Sequence, residues 1–285
     1  MSKTNKIVLW IIAIIVMIGV GAYNAIIVNP HNINIREETI VSYKLDESFD
    51  DFIIAFFSDL HYGNYTGKNE LDNLVSTINN SGVDVCIFGG DLIDLYSTRG
   101  ISAQDKTYLI DKLKEIEAPY GKFAVLGNHD IDQESTKNEV SQILIDGGFK
   151  IITNTNVRVY NSHKSYFNLI GIDSMFLGKP NPSSAYDKIK ENDFNFVVTH
   201  APDIVEELYL VKSDYVVAGH SHGGQIFLPF INYLYRPIGC REYFKGKYIV
   251  NNVVLDITNG VGTTKYDARL FADSEIVLYK LKKTD

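Results

Sequence analysis

The chain has 285 residues, of which 45% are hydrophobic, 12% aromatic and 22% charged. That composition excludes a disordered chain and supplies enough apolar material for one large domain. The formal net charge is −8 and no Lys/Arg cluster stands out beyond Lys280, Lys282 and Lys283, so nucleic acid is not expected as the main partner.

Residues 1–6 form a short tail that carries Lys3 and Lys6. Residues 7–28 contain no charge and as a helix would measure about 33 Å, enough to span a bilayer core. The segment is apolar all round, unlike an amphipathic core helix. The two lysines place the tail in the cytoplasm and the large domain outside, giving a single-pass protein of the cell membrane with an extracytoplasmic domain. A signal peptide cut after Ala22 is the competing reading; the apolar run continues past that point and favours an uncleaved anchor. Asn29-Pro30 breaks the helix. Residues 29–50 then serve as a linker, with a loose alternation over residues 33–43 that suits an edge strand or a stalk.

The remaining domain, residues 51–285, repeats one pattern. Short runs rich in Val, Ile and Phe end in polar chemistry. Residues 52–57 lead into Ser58-Asp59-Leu60-His61, 83–88 into Gly89-Gly90-Asp91, and 123–126 into Gly127-Asn128-His129-Asp130. Residues 194–198 lead into Thr199-His200, and 215–218 into Gly219-His220-Ser221-His222. These runs suit buried strands. Leu71, Leu74, Val75 and Ile78 sit at helical spacing, as do Leu109, Leu113 and Ile116, and Val140, Ile143 and Leu144. The alternation predicts an α/β fold with its site beyond the strand ends. Residues 253–257 and 276–281 read as further strands without a long helix between them. Cys86, inside an apolar run, reads as a small buried hydrophobe, and its spacing from Cys240 gives no support for a disulfide.

The strand ends collect Asp59, His61, Asp91, Asn128, His129, His200, His220 and His222, and so take five of the chain's seven histidines. All are oxygen or imidazole donors, a set that suits divalent Mn, Fe or Zn. Residues two apart on a strand share a side, so Asp59 with His61, and His220 with His222, are expected to reach one ion together. The Asp91 carboxylate has two oxygens and can bridge two cations, while Asn128 adds a neutral carbonyl oxygen. Each motif alone is weak; five of them in order, each after a strand-like run, are not.

With these motifs in place the chain resembles the calcineurin-like metallophosphoesterases. Their pattern stands complete as Asp59-Leu60-His61, Gly90-Asp91-Leu92-Ile93-Asp94, Gly127-Asn128-His129-Asp130, His200 and Gly219-His220-Ser221-His222. The resemblance implies a four-layer α/β-β/α sandwich. It also implies one metal held by Asp59, His61, Asp91 and His222, and a second held by Asp91, Asn128, His200 and His220. Two further segments are similar to a bacterial membrane-associated branch that includes UDP-diacylglucosamine-type phosphodiesterases. They are Gly219-His220-Ser221-His222-Gly223-Gly224-Gln225 with Leu228-Pro229, and Asn259-Gly260-Val261-Gly262 with Arg269-Leu270 and Glu275-Ile276.

The expected chemistry is hydrolysis of a phosphodiester or pyrophosphate by in-line attack of a water acidified between two cations. His129 is expected to donate a proton or hydrogen bond to the leaving oxygen, with Asp94 and Asp130 orienting a ligand or His129. A phosphomonoesterase or protein phosphatase, and a non-catalytic metal-binding scaffold, are the alternatives. The bilayer and a phosphoester, lipid-linked for an anchored enzyme, are the expected partners. The apolar stretch 226–235, with Tyr233 and Tyr235, reads either as core or as a lip meeting lipid. Arg236, Arg241, Lys245 and Lys247 read as a solvated loop or as contacts for phosphate.

Overall fold

The computed structural model describes residues 2–94, 101–228, 232–233 and 236–284, with main chain only at 232 and 233. Helix α1 (Lys3–Tyr23) continues through a π-helical turn, Asn24–Val28, and together they are long and apolar enough to cross a membrane. Ile7, Trp10, Ile14, Ile18 and Ile27 are exposed along it. Among the described residues no part of the domain covers this surface, and an apolar helix of that length is stable in hydrocarbon rather than water.

Two six-stranded sheets follow. The first runs in the order β1 (Asn34–Ser42), β14 (Glu275–Lys283), β2 (Ile53–Phe57), β3 (Val85–Phe88), β4 (Lys122–Ala124), β5 (Lys150–Ile151). Strands β2 to β5 are parallel, and β14 is antiparallel to β2. The second sheet runs β12 (Gly246–Val250), β13 (Val253–Ile257), β9 (Tyr215–Ala218), β8 (Asn195–Val198), β7 (Tyr166–Gly171), β6 (Thr155–Tyr160). Its middle, from β13 through β9 and β8 to β7, is parallel. A small ribbon pairs β10 (Phe227–Leu228) with β11 (Asn232–Tyr233).

Strand alternation sorts the apolar residues into three cores. Ala55, Phe57, Cys86 and Phe88 face the helices α2 (Lys68–Asn79), α3 (Ala103–Glu115) and α5 (Glu134–Asp146). These helices bury the predicted stripes, Leu71, Leu74, Val75 and Ile78 among them. Ile54, Phe56, Val85 and Ile87 point the other way and meet Phe196, Val198, Tyr215 and Val217 between the sheets. Val197, Val216, Leu255 and Ile257 face outward under α6 (Pro182–Ala185) and the turn Pro202–Glu207. Helices, sheet, sheet and helices therefore stack as the four-layer sandwich expected. Cys86 and Cys240 are both free and buried.

The segment read as edge strand or stalk is an edge strand, β1, parallel to β14. Arg36 on it joins the two sheets. Its guanidinium donates to Asp256 on β13 at 2.9 Å and to Glu275 on β14 at 3.2 Å. Asp256 is fully buried and also accepts from Tyr279 at 2.9 Å. Arg36→Met leaves that carboxylate without its cation and is expected to lower unfolding free energy by about 2 to 3 kcal/mol, since part of the guanidinium keeps solvent. A urea midpoint unchanged from wild type would contradict the role of this pair.

Candidate metal centre

Every predicted ligand sits just past the C-terminal end of a parallel strand. Asp59 and His61 follow β2, Asp91 follows β3, and Asn128 opens the short helix α4 (Asn128–Ile131) after β4. His200 follows β8, and His220 and His222 follow β9. The two sheets face each other, so both sets of loops converge on one crevice.

The local reason for the pairing differs from the one expected. Asp59 and His61 do not alternate along a strand: their φ angles are 57° and 47°. Asp91, His220 and His222 are also left-handed, at 62°, 68° and 51°. Non-glycine residues adopt this region at a cost; here the strand ends turn sharply and aim consecutive polar side chains inward. Close packing fixes the turns. A Cβ on Gly127 would lie 2.1 Å from Asp91 Oδ1, and one on Gly219 would lie 2.2 Å from Ser58 Oγ.

Two clusters result, Asp59–His61–His222 and Asp91–His200–His220, each with its ligand atoms within 4.8 Å of one another. His61 Nε2 stands 3.1 Å from His222 Nε2, and His222 Nε2 stands 3.5 Å from Asp59 Oδ1. In the other cluster His200 Nε2 lies 3.2 Å from both Asp91 Oδ2 and Asn128 Oδ1. Asp91 Oδ2 is also 3.6 Å from His61 Nε2, so this one carboxylate stands between the clusters.

The donors fit metal ions. Ligand atoms about 2.1 Å from a shared ion stand about 3.0 to 3.4 Å apart, close to the separations here. Asp59 Oδ1 is buried without a hydrogen-bond partner, a costly state for a carboxylate oxygen unless a cation meets it. Three imidazoles are oriented by main-chain carbonyls. His200 Nδ1 meets Gly89 O at 2.8 Å, His220 Nε2 meets Ile238 O at 2.8 Å, and His222 Nδ1 meets Gly262 O at 3.2 Å. Donating one N–H outward leaves the other nitrogen's lone pair for the crevice.

The remaining predicted residues are close by. His129 gives its main-chain N–H to Asp91 Oδ1 at 2.8 Å, and its ring packs edge-on against His61 with centroids 4.7 Å apart. Asp94, His129 and His61 form a third group of ligand-type atoms within 4.8 Å, which suits Asp94 as the residue that orients His129. Asp130 does something different. Its carboxylate accepts from the amides of Asp91 at 2.7 Å, Leu92 at 2.8 Å and Gly127 at 2.9 Å, and so clamps the two loops that carry Asp91 and Asn128. Burial and neighbouring Asp91 push the Asp130 carboxyl up to about 7. Burial opposes charge on Asp91 too, but His200 and His129 hold its carboxyl well below the ordinary range.

Sequence reading did not foresee the carbonyls of Gly89, Ile238 and Gly262, because every residue carries one. Of the apolar stretch 226–235, Ile226, Phe227 and Leu228 are half-buried. Residues 229–231 and 234–235, Tyr235 included, and the side chain of Tyr233 lie outside the described residues. Lys247 pairs with Glu38 on β1, and Lys245 lies over the Phe227 ring at 4.8 Å. Arg236 and Arg241 flank the turn that contains Ile238: the Arg241 amide donates to Asp203 at 2.6 Å, and the Arg236 guanidinium is 5.6 Å from the Phe244 ring.

The protonation of the cluster makes a pH prediction for the metal-free chain. Burial and His200 bring His220 down to about 4, and burial brings His222 to about 4, from an ordinary 6.5. Their folded values lie below the unfolded one, so their contribution to stability is present above pH 6.5 and is lost as pH falls towards 4. His200 opposes burial through Asp91 and rises to about 9; its contribution is present below 6.5 and is lost as pH rises through 9. The urea midpoint is therefore expected to peak near neutral pH and fall on both sides. A midpoint still climbing from pH 6.5 down to 4 would contradict buried, neutral imidazoles at His220 and His222.

YkuE, a metallophosphoesterase of Bacillus subtilis (strain 168), is 31% identical over 271 residues, 94% of this chain and 92% of that protein. The calcineurin-like phosphoesterase model matches residues 52–224. This chain belongs to that family. It is therefore a phosphoester hydrolase of a metal-dependent family, and the clusters above are its candidate metal-binding groups. The phosphodiesterase YaeI of Escherichia coli (strain K12) is 26% identical over 81% of this phosphoesterase and 82% of its own length. A transmembrane protein with a metallophosphoesterase domain from Danio rerio is 25% identical over 84% of this chain and 55% of its own.

Proposed function

We propose that this chain is a binuclear phosphodiesterase that works at a membrane surface on a lipid-linked phosphodiester or pyrophosphate. The observation that carries the binuclear reading is Asp91, whose carboxylate lies 3.2 Å from His200 in one cluster and 3.6 Å from His61 in the other. Asp59, His61, Asp91 and His222 would hold one divalent ion, and Asp91, Asn128, His200 and His220 the other, with Mn, Fe and Zn all suited to the donors. Bound there, two cations supply Lewis acidity and a nucleophile at neutral pH. The protein's own parts do the rest. Main-chain carbonyls keep His200, His220 and His222 each in one tautomer, Asp130 holds Asp91 and Asn128 together, and His129 donates to the leaving oxygen.

Hydrolysis of a diester is favoured by the relative named a phosphodiesterase. The lipid-linked class, including glycolipid nucleotides of the UDP-diacylglucosamine type, is favoured by the exposed apolar helix that ends at the domain. The lysines at positions 3 and 6 favour a cytoplasmic tail and an extracytoplasmic domain. The test is activity of the full chain in lipid nanodiscs with Mn. Bis(p-nitrophenyl) phosphate and a lipid-linked nucleotide are expected to be cleaved, and p-nitrophenyl phosphate much more slowly. Preference for the monoester would instead favour the phosphatase reading. Equal rates on soluble and lipid-linked pyrophosphates would remove the lipid assignment.

A further inference from the structure

The anchor does not merely lead into the domain; its end is hydrogen-bonded to a residue beside the metal centre. Ala25, buried in the π-helical turn, accepts from the Arg269 amide at 2.8 Å. The Asn29 side-chain amide donates to the Arg269 carbonyl at 3.0 Å. Both main-chain groups of Arg269 are thus taken by the segment leaving the membrane. Pro30 adds a third tie, its carbonyl accepting from Ser274 Oγ at 3.4 Å.

The Arg269 side chain turns the opposite way and is fully buried. Nη1 donates to Asn259 O at 3.0 Å and Ala272 O at 2.7 Å, and Nη2 donates to Gly260 O at 3.2 Å and Gly262 O at 2.5 Å. Each of these bonds ends on a main-chain carbonyl, and a buried guanidinium held this way is costly unless its fork geometry matters. Gly262 O is the carbonyl that meets His222 Nδ1. The same loop is tied to the first ligand, since the Gly262 amide donates to Asp59 O at 2.7 Å and the Val261 amide to Ser58 O at 3.0 Å.

We propose that Arg269 is a positioning residue that couples the seated end of the membrane anchor to His222, through the loop 259–262. With the anchor seated, the guanidinium fixes the Gly262 carbonyl, which fixes the His222 tautomer and ring for the ion shared with Asp59 and His61. This rests on the metal-centre reading of the Asp59–His61–His222 cluster. It assigns the anchor a part in building that cluster, beyond tethering.

The test titrates Mn into metal-free full chain in nanodiscs, with ions counted by mass spectrometry. Arg269→Lys keeps the charge and loses the fork. Asn29→Ala removes one tie from a half-buried surface residue, so it still reports if the lysine variant does not fold. Wild type is expected to bind two ions. Both variants are expected to weaken one of them, by about 10- to 100-fold for Arg269→Lys and by less for Asn29→Ala, with the other ion unchanged. In a His222→Ala background, Arg269→Lys is expected to add no further loss, as for two residues acting on one site. Wild-type affinity at both sites in both variants overturns the coupling alone, as does a loss that adds fully to that of His222→Ala. A wild-type chain that binds no Mn removes the metal-centre reading, and the coupling with it.

Discussion

Asp91→Asn is expected to lose at least one of two bound ions and to slow turnover about a thousandfold or more, equivalent to about 4 kcal/mol in the barrier. The carboxylate is buried between both clusters, with Oδ2 facing His200 and His61 and Oδ1 accepting the His129 amide. Asparagine keeps the shape but removes the negative charge that lies between the two proposed cation positions. It also turns an NH2 toward groups that need an acceptor. Because Asp130 clamps the loop through main-chain amides, the fold should survive, and circular dichroism should be unchanged. Two ions bound at wild-type affinity with wild-type turnover would show that Asp91 bridges nothing.

His129→Ala should behave in the opposite way toward metal. The ring lies against His61 and near Asp94, in the third group of ligand-type atoms, and is not among the ligands proposed for either ion. Metal content is expected to stay at two ions while kcat falls about a hundredfold or more, the usual range for loss of a general acid. The loss should shrink for a substrate whose leaving group is nitrophenolate, which departs without a proton, and be largest for an alkyl or phosphate leaving group. If metal is lost together with activity, His129 is a ligand or a structural group and the acid role is wrong.

The architecture was legible where burial alone determines it. Runs such as residues 215–218, apolar on both faces, mark central parallel strands, and β9 covers those same residues. The stripe Leu71, Leu74, Val75, Ile78 marks α2 because only a helix puts that spacing on one face. Strands β6 and β7 escaped notice: Thr155–Tyr160 is mostly polar and pairs at the open edge of the second sheet.

The candidate ligands were legible because five motifs, each ambiguous alone, occur in order. How Asp59 and His61 come to face one point was not, because a left-handed turn after a strand leaves no pattern in side-chain hydrophobicity. The carbonyls that meet the imidazoles and the role proposed for Arg269 were hidden for a related reason. They depend on main-chain atoms brought together across the fold, such as Ala25 and Gly262 on either side of one arginine.

The centre itself can be tested most directly by anomalous diffraction from crystals of the full chain grown with Mn. Two peaks are expected, one among Asp59, His61 and His222 and one among Asn128, His200 and His220, with the Asp91 carboxylate between them. A single peak, or two peaks with Asp91 touching only one, would contradict the shared carboxylate on which the proposed chemistry depends.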